Sequence, residues 1–477
     1  MKPPVAVFAL ITLSLATFTK GDTPFCDKCH CSKEEPLIVD CASVKITNLF
    51  EDYYWMDKTT NISYSIAALN LSSNDLGDIK KIFPKSNLTV LDLSNNYIRS
   101  LDDQVFTNLE MMEILILSYN EIEHLNPNTF RGIRIDGDDY PLESLKKLYL
   151  DHNKLHTLPQ DVFEHLQNEI KVLDLSDNPF TVIDQQTTIA IGSLIFLEEL
   201  YMKNTQLSQL PEHFLHTPKY LKILDISGNS FQEIPETLVE AKSLSSLDIS
   251  NNPFVTFGGK NIFPRIDTLK VLHICNMPQL QKIEEKALSN LVNLEELHIC
   301  NNPALDYIDP NVLSRKDVEN EIWPQIRKFY LCNNKLTHID SHILAHWDTL
   351  TDLDIRGNSW TCECENQWLV ETLMPIYVEI NRSQASEVKC AAPVEMQRYT
   401  LYELFEKKTD MRCLDLYGHR PERDAAILVG TLIGVLLGIP LILLGVWVYQ
   451  KYFYGYFDKS PAAYSRQFYT RTNSVDF

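Results

Sequence analysis

Five side chains in one stretch have the types and spacing for chemistry. His273-Ile-Cys275 and His298-Ile-Cys300 are the same phrase, and Cys332 follows in a third copy of the surrounding pattern. On neighbouring strands of one face these groups stand about 5 Å apart. Imidazole with thiolate suits zinc or copper. Three cysteines also leave an odd one after pairing. A disulfide between in-register strands is somewhat strained, since its Cβ atoms prefer about 3.5–4.5 Å. Three readings stand side by side: a metal site, a disulfide within or between molecules, and a duplicated unit that carries its cysteine passively.

A second set is the pair Asp-x-Ser, found at Asp92–Ser94, Asp174–Ser176, Asp225–Ser227 and Asp248–Ser250. An acid near a hydroxyl invites a hydrolase reading. No histidine is in register with these serines, and a flat strand ladder offers no oxyanion pocket. The repeat pattern is the better account, so no catalytic residue is assigned and the chain is read as no enzyme. A third set is Cys26, Cys29, Cys31 and Cys41, whose spacing could serve zinc. The chain opens with Lys2, an apolar run from Val5 to Leu15, then the small residues Ala16, Thr19 and Gly21. That is the order of a signal peptide. It places the remainder in an oxidising compartment, where two disulfides are the expected use of the four cysteines.

The elements that must position these groups are repeats. Ile66-Ala-Ala-Leu69-Asn-Leu71-Ser-Ser-Asn74 returns as Leu88-Thr-Val-Leu91-Asp-Leu93-Ser-Asn-Asn96, and again as Ile170-Lys-Val-Leu173-Asp-Leu175-Ser-Asp-Asn178. Twelve copies begin at Ile66, Leu88, Met112, Leu145, Ile170, Leu197, Leu221, Leu244, Leu269, Leu294, Ile326 and Leu350. Two intervals are long, and their surplus residues are polar (Asp136 to Pro141, and Arg315 to Glu321), which expects loops outside the stack. Leu91 and Leu93 alternate with Asp92 and Ser94, so leucines face a core shared with neighbouring repeats and polar groups face out. The closing asparagine is expected to satisfy backbone groups at a tight bend. Thr205 and Met277 replace it in two copies, where the ladder is expected to loosen. Phe106, Phe130, Phe163, Phe214 and Leu238 mark a short helix or irregular arc in the second half of each unit.

These motifs resemble the extracellular leucine-rich-repeat family found in Slit, Toll ectodomains and neuronal adhesion receptors. The resemblance covers roughly residues 26–415. It implies an α/β solenoid, a leucine-rich-repeat horseshoe with parallel strands on the concave face and disulfide caps at both ends. The four early cysteines match the amino-terminal cap. Asn358-Ser-Trp-Thr-Cys362-Glu-Cys364-Glu-Asn-Gln-Trp368-Leu369, followed by Cys390 and Cys413, resembles the carboxy-terminal cap. The family implies Cys26 with Cys31, Cys29 with Cys41, Cys362 with Cys390, and Cys364 with Cys413; spacing alone leaves three pairings open for each set.

The balance of 43 basic to 64 acidic side chains, formally -21, argues against nucleic acid as a partner. From Ala425 to Tyr449 runs an uncharged apolar stretch long enough to cross a bilayer. The expected organisation is a signal peptide at 1–21, an amino-terminal cap at 22–60, repeats at 61–357, a carboxy-terminal cap at 358–415, a linker at 416–424, a membrane span at 425–449 and a cytoplasmic tail at 450–477. That makes a type I plasma-membrane protein with its ectodomain outside. The tail is too short for a kinase or a Toll-type signalling domain. Sequons at Asn61, Asn70, Asn87 and Asn381 mark glycan acceptors. Gly430, Gly434 and Gly438 share a helix stripe that suits self-association in the membrane. The terminal Phe477 suits a PDZ-type partner. No cofactor is expected.

Contacts are expected on the outward row of the strands, chiefly Tyr149, Asp174, Tyr201, Asp225 and Asp248, because aromatics anchor interfaces. The reading reached is a single-pass surface protein that binds a protein ligand, as an adhesion molecule, receptor or co-receptor. An innate-immune co-receptor or decoy and a matrix-organising membrane protein are the alternatives.

Overall fold

A computed structural model of the chain describes residues 23–453 apart from 33–35, 57–62, 133, 136–137, 140–141, 167–168, 317–320, 410 and 412–420. The expected signal peptide at 1–21, Asn61, Cys413 and Phe477 lie outside the described residues. The chain falls into two compact units, Met1–Thr361 with Trp368–Thr409, and Cys362–Gln367 with Asp410–Phe477.

The first unit is a β-solenoid built on a 14-stranded sheet. His30–Cys31 pairs antiparallel with Leu37–Asp40, and every later neighbour is parallel, from Ile66–Asn70 to Asp352–Asp354. The repeat strands are in register, so Leu69, Leu91, Leu115 and Leu148 stack, and the row continues to Leu353. All four leucines are fully enclosed. Burying each contributes about 1.5–3 kcal/mol, so this inward row is a principal source of stability.

The strands are short because the chain turns at a fixed place. In all twelve repeats the residue before the closing position has a left-handed φ, from Ser73 (57°) and Asn95 (55°) to Asn333 (55°) and Gly357 (70°). The next residue then points its amide inward. Asn96 Nδ2 donates to Leu71 O at 2.9 Å and Leu93 O at 3.0 Å, so one side chain ties two repeats. Asn120 repeats this with Leu93 O and Leu117 O, and its Oδ1 accepts from Asn96 N and Ile98 N. The expected loosening is uneven. At Thr205 the hydroxyl donates to Met202 O at 2.9 Å and takes over part of the amide's role. Met277, also fully buried, has no side-chain donor, and only its backbone N–H, held by Asn302 Oδ1 at 2.8 Å, stays in the ladder.

Behind the leucines runs an aromatic spine. Trp55, Phe83, Phe106, Phe130 and Phe163 follow one another with ring centroids 6.2, 5.7, 6.1 and 6.3 Å apart. Turns dominate this side. They are joined by the helix Gln185–Gly192, capped by Asp184, and by a small parallel sheet of Thr256–Phe257, Lys282–Ile283 and Tyr307–Ile308. In the two long intervals, Arg134–Ile135 pairs antiparallel with Asp138–Asp139 and Arg315–Lys316 with Glu321–Ile322.

Both ends of the stack are closed. Disulfides join Cys26 to Cys31 and Cys29 to Cys41, and Phe25 packs among Phe50, Tyr54 and Trp55. At the other end lie the helices Met374–Ala385 and Leu401–Lys407, the latter opened by a Thr400–Glu403 capping box. Trp360 is fully buried and donates to Ile355 O at 2.9 Å. Cys362, Cys364 and Cys390 are disulfide-bonded.

The second unit contains the helix Pro421–Val448, with Pro440 inside it. Its stretch Ala426–Tyr452 is long and apolar enough to cross a membrane. A Cβ added at Gly430, Gly434 or Gly438 would meet no heavy atom within 4 Å.

Candidate functional site

The first and third residues of each repeat strand share the outer face, and register turns them into rows. The third-residue row brings Tyr149 beside Asp174, Asp174 beside Tyr201, Tyr201 beside Asp225 and Asp225 beside Asp248. It continues through His273, His298 and Tyr330 to Asp354. The sheet therefore unites residues scattered over two hundred positions of sequence into one line.

The Asp-x-Ser pairs have a structural role here. Each carboxylate folds back and accepts the N–H two residues on: Asp92 from Ser94 at 2.8 Å, and Asp174, Asp225 and Asp248 from Ser176, Ser227 and Ser250 at 2.9 Å. The acid thus caps a strand end that would otherwise leave a donor unmet. Burial works against these charges. It pushes the Asp174 carboxyl up to about 7, with Asp151 and Asp225 adding repulsion. Asp225 is raised by burial and then by Asp248. Tyr149 is pushed up to about 12, again mainly by burial, so its hydroxyl keeps its proton. The Tyr201 hydroxyl donates to Glu199 Oε2 at 2.6 Å.

Farther along, the row changes chemistry. His273 stacks on His298 with centroids 4.1 Å apart, and His298 on Tyr330 at 4.3 Å. His298 Nε2 lies 2.6 Å from Glu296 Oε1, and Lys328 pairs with the same carboxylate at 2.9 Å. Burial holds the His298 ring below its ordinary range, with Glu296 opposing, so the imidazole is neutral at neutral pH. The Tyr330 hydroxyl donates to Asp352 Oδ2 at 2.6 Å.

The cysteines belong to a second row two residues on, and they occupy a slot that serine fills elsewhere. Ser250 Oγ accepts from Cys275 N at 3.0 Å, Cys275 Sγ from Cys300 N at 3.2 Å, and Cys300 Sγ from Cys332 N at 3.2 Å. Cys300 is bridged to Cys332, and Cys275 is a free thiol. This arrangement bears on the metal alternative raised for His273, Cys275, His298, Cys300 and Cys332. Two of its thiols are consumed by the bridge, and the imidazoles meet face to face rather than with converging nitrogens. Among the described residues no group of three or more His, Cys, Asp or Glu is placed to hold a metal ion.

The sequons differ in access. Asn70 is 8% exposed, with Oδ1 accepting from Ser72 N at 2.9 Å. Asn87 is exposed, and Asn381 is partly so.

Two features of the face were not read from sequence. The first-residue row begins apolar, with Ala68 and Val90 packed against Ile38 and Ile114. The sequence signal for this row is the apolar residue one place before the strand leucine, as in Ala68 before Leu69 and Val90 before Leu91. At the left-handed position, Tyr119 stacks on His152 with centroids 3.9 Å apart. Charged residues also line the face: Lys146 pairs with Glu113, Lys171 and Lys222 with Glu198, and Lys270 with Glu295, at 2.6–3.2 Å.

Comparison with known sequence families agrees with the repeat pattern. A family model described as leucine rich repeat matches residues 86–135, 143–198 and 195–254. Transforming growth factor beta activator LRRC33 of Danio rerio is 29% identical over 219 residues, 43% of this chain and 31% of that protein. Podocan of Mus musculus is 24% identical over 299 residues, 62% of this chain and 44% of that protein. The chain thus spans less than half the length of these relatives. The Toll–Spatzle complex from Drosophila contains a chain of 17% identity and TM-score 0.46, the match covering 78% of this chain and 57% of that one.

Proposed function

We propose, on the premise that the chain is a leucine-rich-repeat protein with disulfide-bonded ends, that it is a single-pass cell-surface protein whose strand face binds a protein ligand, as an adhesion molecule or receptor. One observation carries the reading: Tyr149, Asp174, Tyr201, Asp225 and Asp248 stand in register on consecutive strands. A broad, rigid row of aromatic and acidic groups suits a protein surface better than a small substrate, which needs a concave pocket. Tyrosines supply contact area at low entropic cost. A relative named as an activator of transforming growth factor beta supports a protein as the ligand. The apolar stretch Ala426–Tyr452 supports the membrane anchor, with the repeats outside and glycans at Asn87 and Asn381.

The test displays the full chain on cells and identifies proteins captured by proximity crosslinking. Tyr149→Ala with Tyr201→Ala should weaken capture of the ligand at least about tenfold, given about 1 kcal/mol or more per anchor, while surface display stays unchanged. Undiminished capture would place the contact elsewhere. Clustering of expressing cells with one another would favour adhesion. Retention of a secreted matrix component would favour a matrix-organising role instead.

A further inference from the structure

We propose that the Cys300–Cys332 disulfide exchanges with Cys275, so that the central sulfur is bridged in turn to the neighbour on either side. The three cysteines hold equivalent places on consecutive repeats. The residues two before them pair in register, His273 with His298 and His298 with Tyr330. The residues after them continue the ladder, Asn276 N donating to Cys300 O and Asn301 N to Cys332 O, both at 2.9 Å.

Cys300 and Cys332 have Cα atoms 4.7 Å apart, which is the spacing of adjacent strands. Cys275 stands one strand away on the other side of Cys300, at a spacing inside the range of about 4.4–6.8 Å that a disulfide requires. Cys275 and Cys332 are two strands apart, about 9–10 Å, and cannot be joined without moving backbone. The central cysteine is therefore the common partner.

Orientation also favours the step. The Cys275 sulfur already points along the ladder, accepting Cys300 N, just as the Cys300 sulfur accepts Cys332 N. Nucleophile, central sulfur and leaving sulfur lie in that order across the sheet, as displacement at sulfur requires. Cys275 Sγ, as thiolate, attacks Cys300 Sγ. The Cys275–Cys300 bond forms, the Cys300–Cys332 bond breaks, and the electron pair leaves on Cys332 Sγ, which takes up a proton equivalent to the one Cys275 released. One thiol and one disulfide stand on each side of the step, so no oxidant or reductant is needed. Burial pushes the Cys275 thiol up, which slows the attack at neutral pH. In one register the face presents its thiol at Cys275, in the other at Cys332, beside Arg356 of the next repeat.

The test uses the full-length protein in detergent. It is held at pH 8.5, quenched with N-ethylmaleimide, digested without reduction and mapped by mass spectrometry. Both bridges, Cys275–Cys300 and Cys300–Cys332, are expected, with maleimide on Cys332 in the first and on Cys275 in the second. In Cys275→Ser, labelling of Cys332 should be lost. In Cys332→Ser, Cys275 and Cys300 should be found joined. In Cys300→Ser, no bridge should link Cys275 to Cys332. Wild-type protein labelled at Cys275 alone after prolonged incubation would overturn the proposal, and this measurement needs no variant to fold. So would Cys332→Ser protein in which Cys275 and Cys300 are both alkylated.

Discussion

Two stretches of one face are built on the same backbone and differ in what fills it. From Tyr149 to Asp248 the third-residue row holds phenols and carboxylates, with the carboxylates turned back to cap strand ends. From His273 to Tyr330 the rows hold stacked rings and sulfur. The backbone does not register the change, because Cys275 Sγ accepts the next repeat's N–H just as Ser250 Oγ does. The outward slot two residues past the row takes serine, cysteine, Lys203 or Arg356 alike. Inward slots ask for a fixed volume and an amide, and vary little. Surface chemistry can therefore change from repeat to repeat while the scaffold stays constant.

The largest contrast is expected from the asparagine ladder. In the first stretch Asn229 Nδ2 donates to Met202 O and Ile226 O, and its Oδ1 accepts from Thr205 N and Leu207 N. Asn229→Ala should cost about 3–5 kcal/mol in denaturant unfolding, since several buried groups lose partners. Beside Met277 the ladder is already thinned: Asn302 Nδ2 donates to Ile274 O and its Oδ1 accepts from Met277 N. Asn302→Ala should cost less, about 2 kcal/mol. Equal losses would mean that Met277 weakens nothing.

The left-handed turn gives the next contrast. Gly228 has φ 68°, and a Cβ there would sit 1.8 Å from Asn204 Oδ1. Gly228→Ala should cost about 2 kcal/mol, from backbone strain plus displacement of Asn204. Asn276, with φ 56° in the second stretch, already carries a Cβ, so Asn276→Ala should cost about 1 kcal/mol or less.

The two stretches should also answer pH with opposite signs. Asp174 titrates near 7 in the folded protein and near 3.9 unfolded, so the native state holds the extra proton between those values. Stability from this group falls as pH rises from about 4 to about 7. Asp174→Asn keeps the acceptor for Ser176 N and should raise stability at pH 8 by about 1 kcal/mol or more, with little change at pH 4. His298 is lowered instead, so the unfolded state binds its proton first, and stability falls as pH drops below about 6.5. His298→Gln should remove that acid-side loss. Unfolding midpoints measured across pH 4–8 check both slopes, and slopes of the same sign would break the comparison. The smallest effect is expected at Lys222, exposed beside Glu198, where Lys222→Ala should shift stability by less than about 0.5 kcal/mol.

The sequence was most informative where a residue type answers a single demand. Leu91, Asn96 and Phe106 each read directly as inward row, ladder and spine, because burial admits few alternatives at those places. It was least informative where several residue types serve equally. The left-handed position holds serine, asparagine, tyrosine, histidine, aspartate or glycine, and no one of them announces the turn. The fate of three equivalent cysteines could not be read either. Which pair is joined depends on strand order and spacing, and those exist only after the repeats have stacked.

The bridge between Cys300 and Cys332 also gives the array a mechanical character. A stack in which each repeat holds only its neighbours yields to tension piece by piece. The bridges near the start enclose separations of 5 and 12 residues, whereas this one encloses 32. Stretched from its ends, the oxidised chain withholds a loop worth about 110 Å of extended length, at about 3.4 Å per residue. Reduction releases it. This part of the face is in effect a cable with a slack coil tied off, and the knot can be undone by chemistry alone.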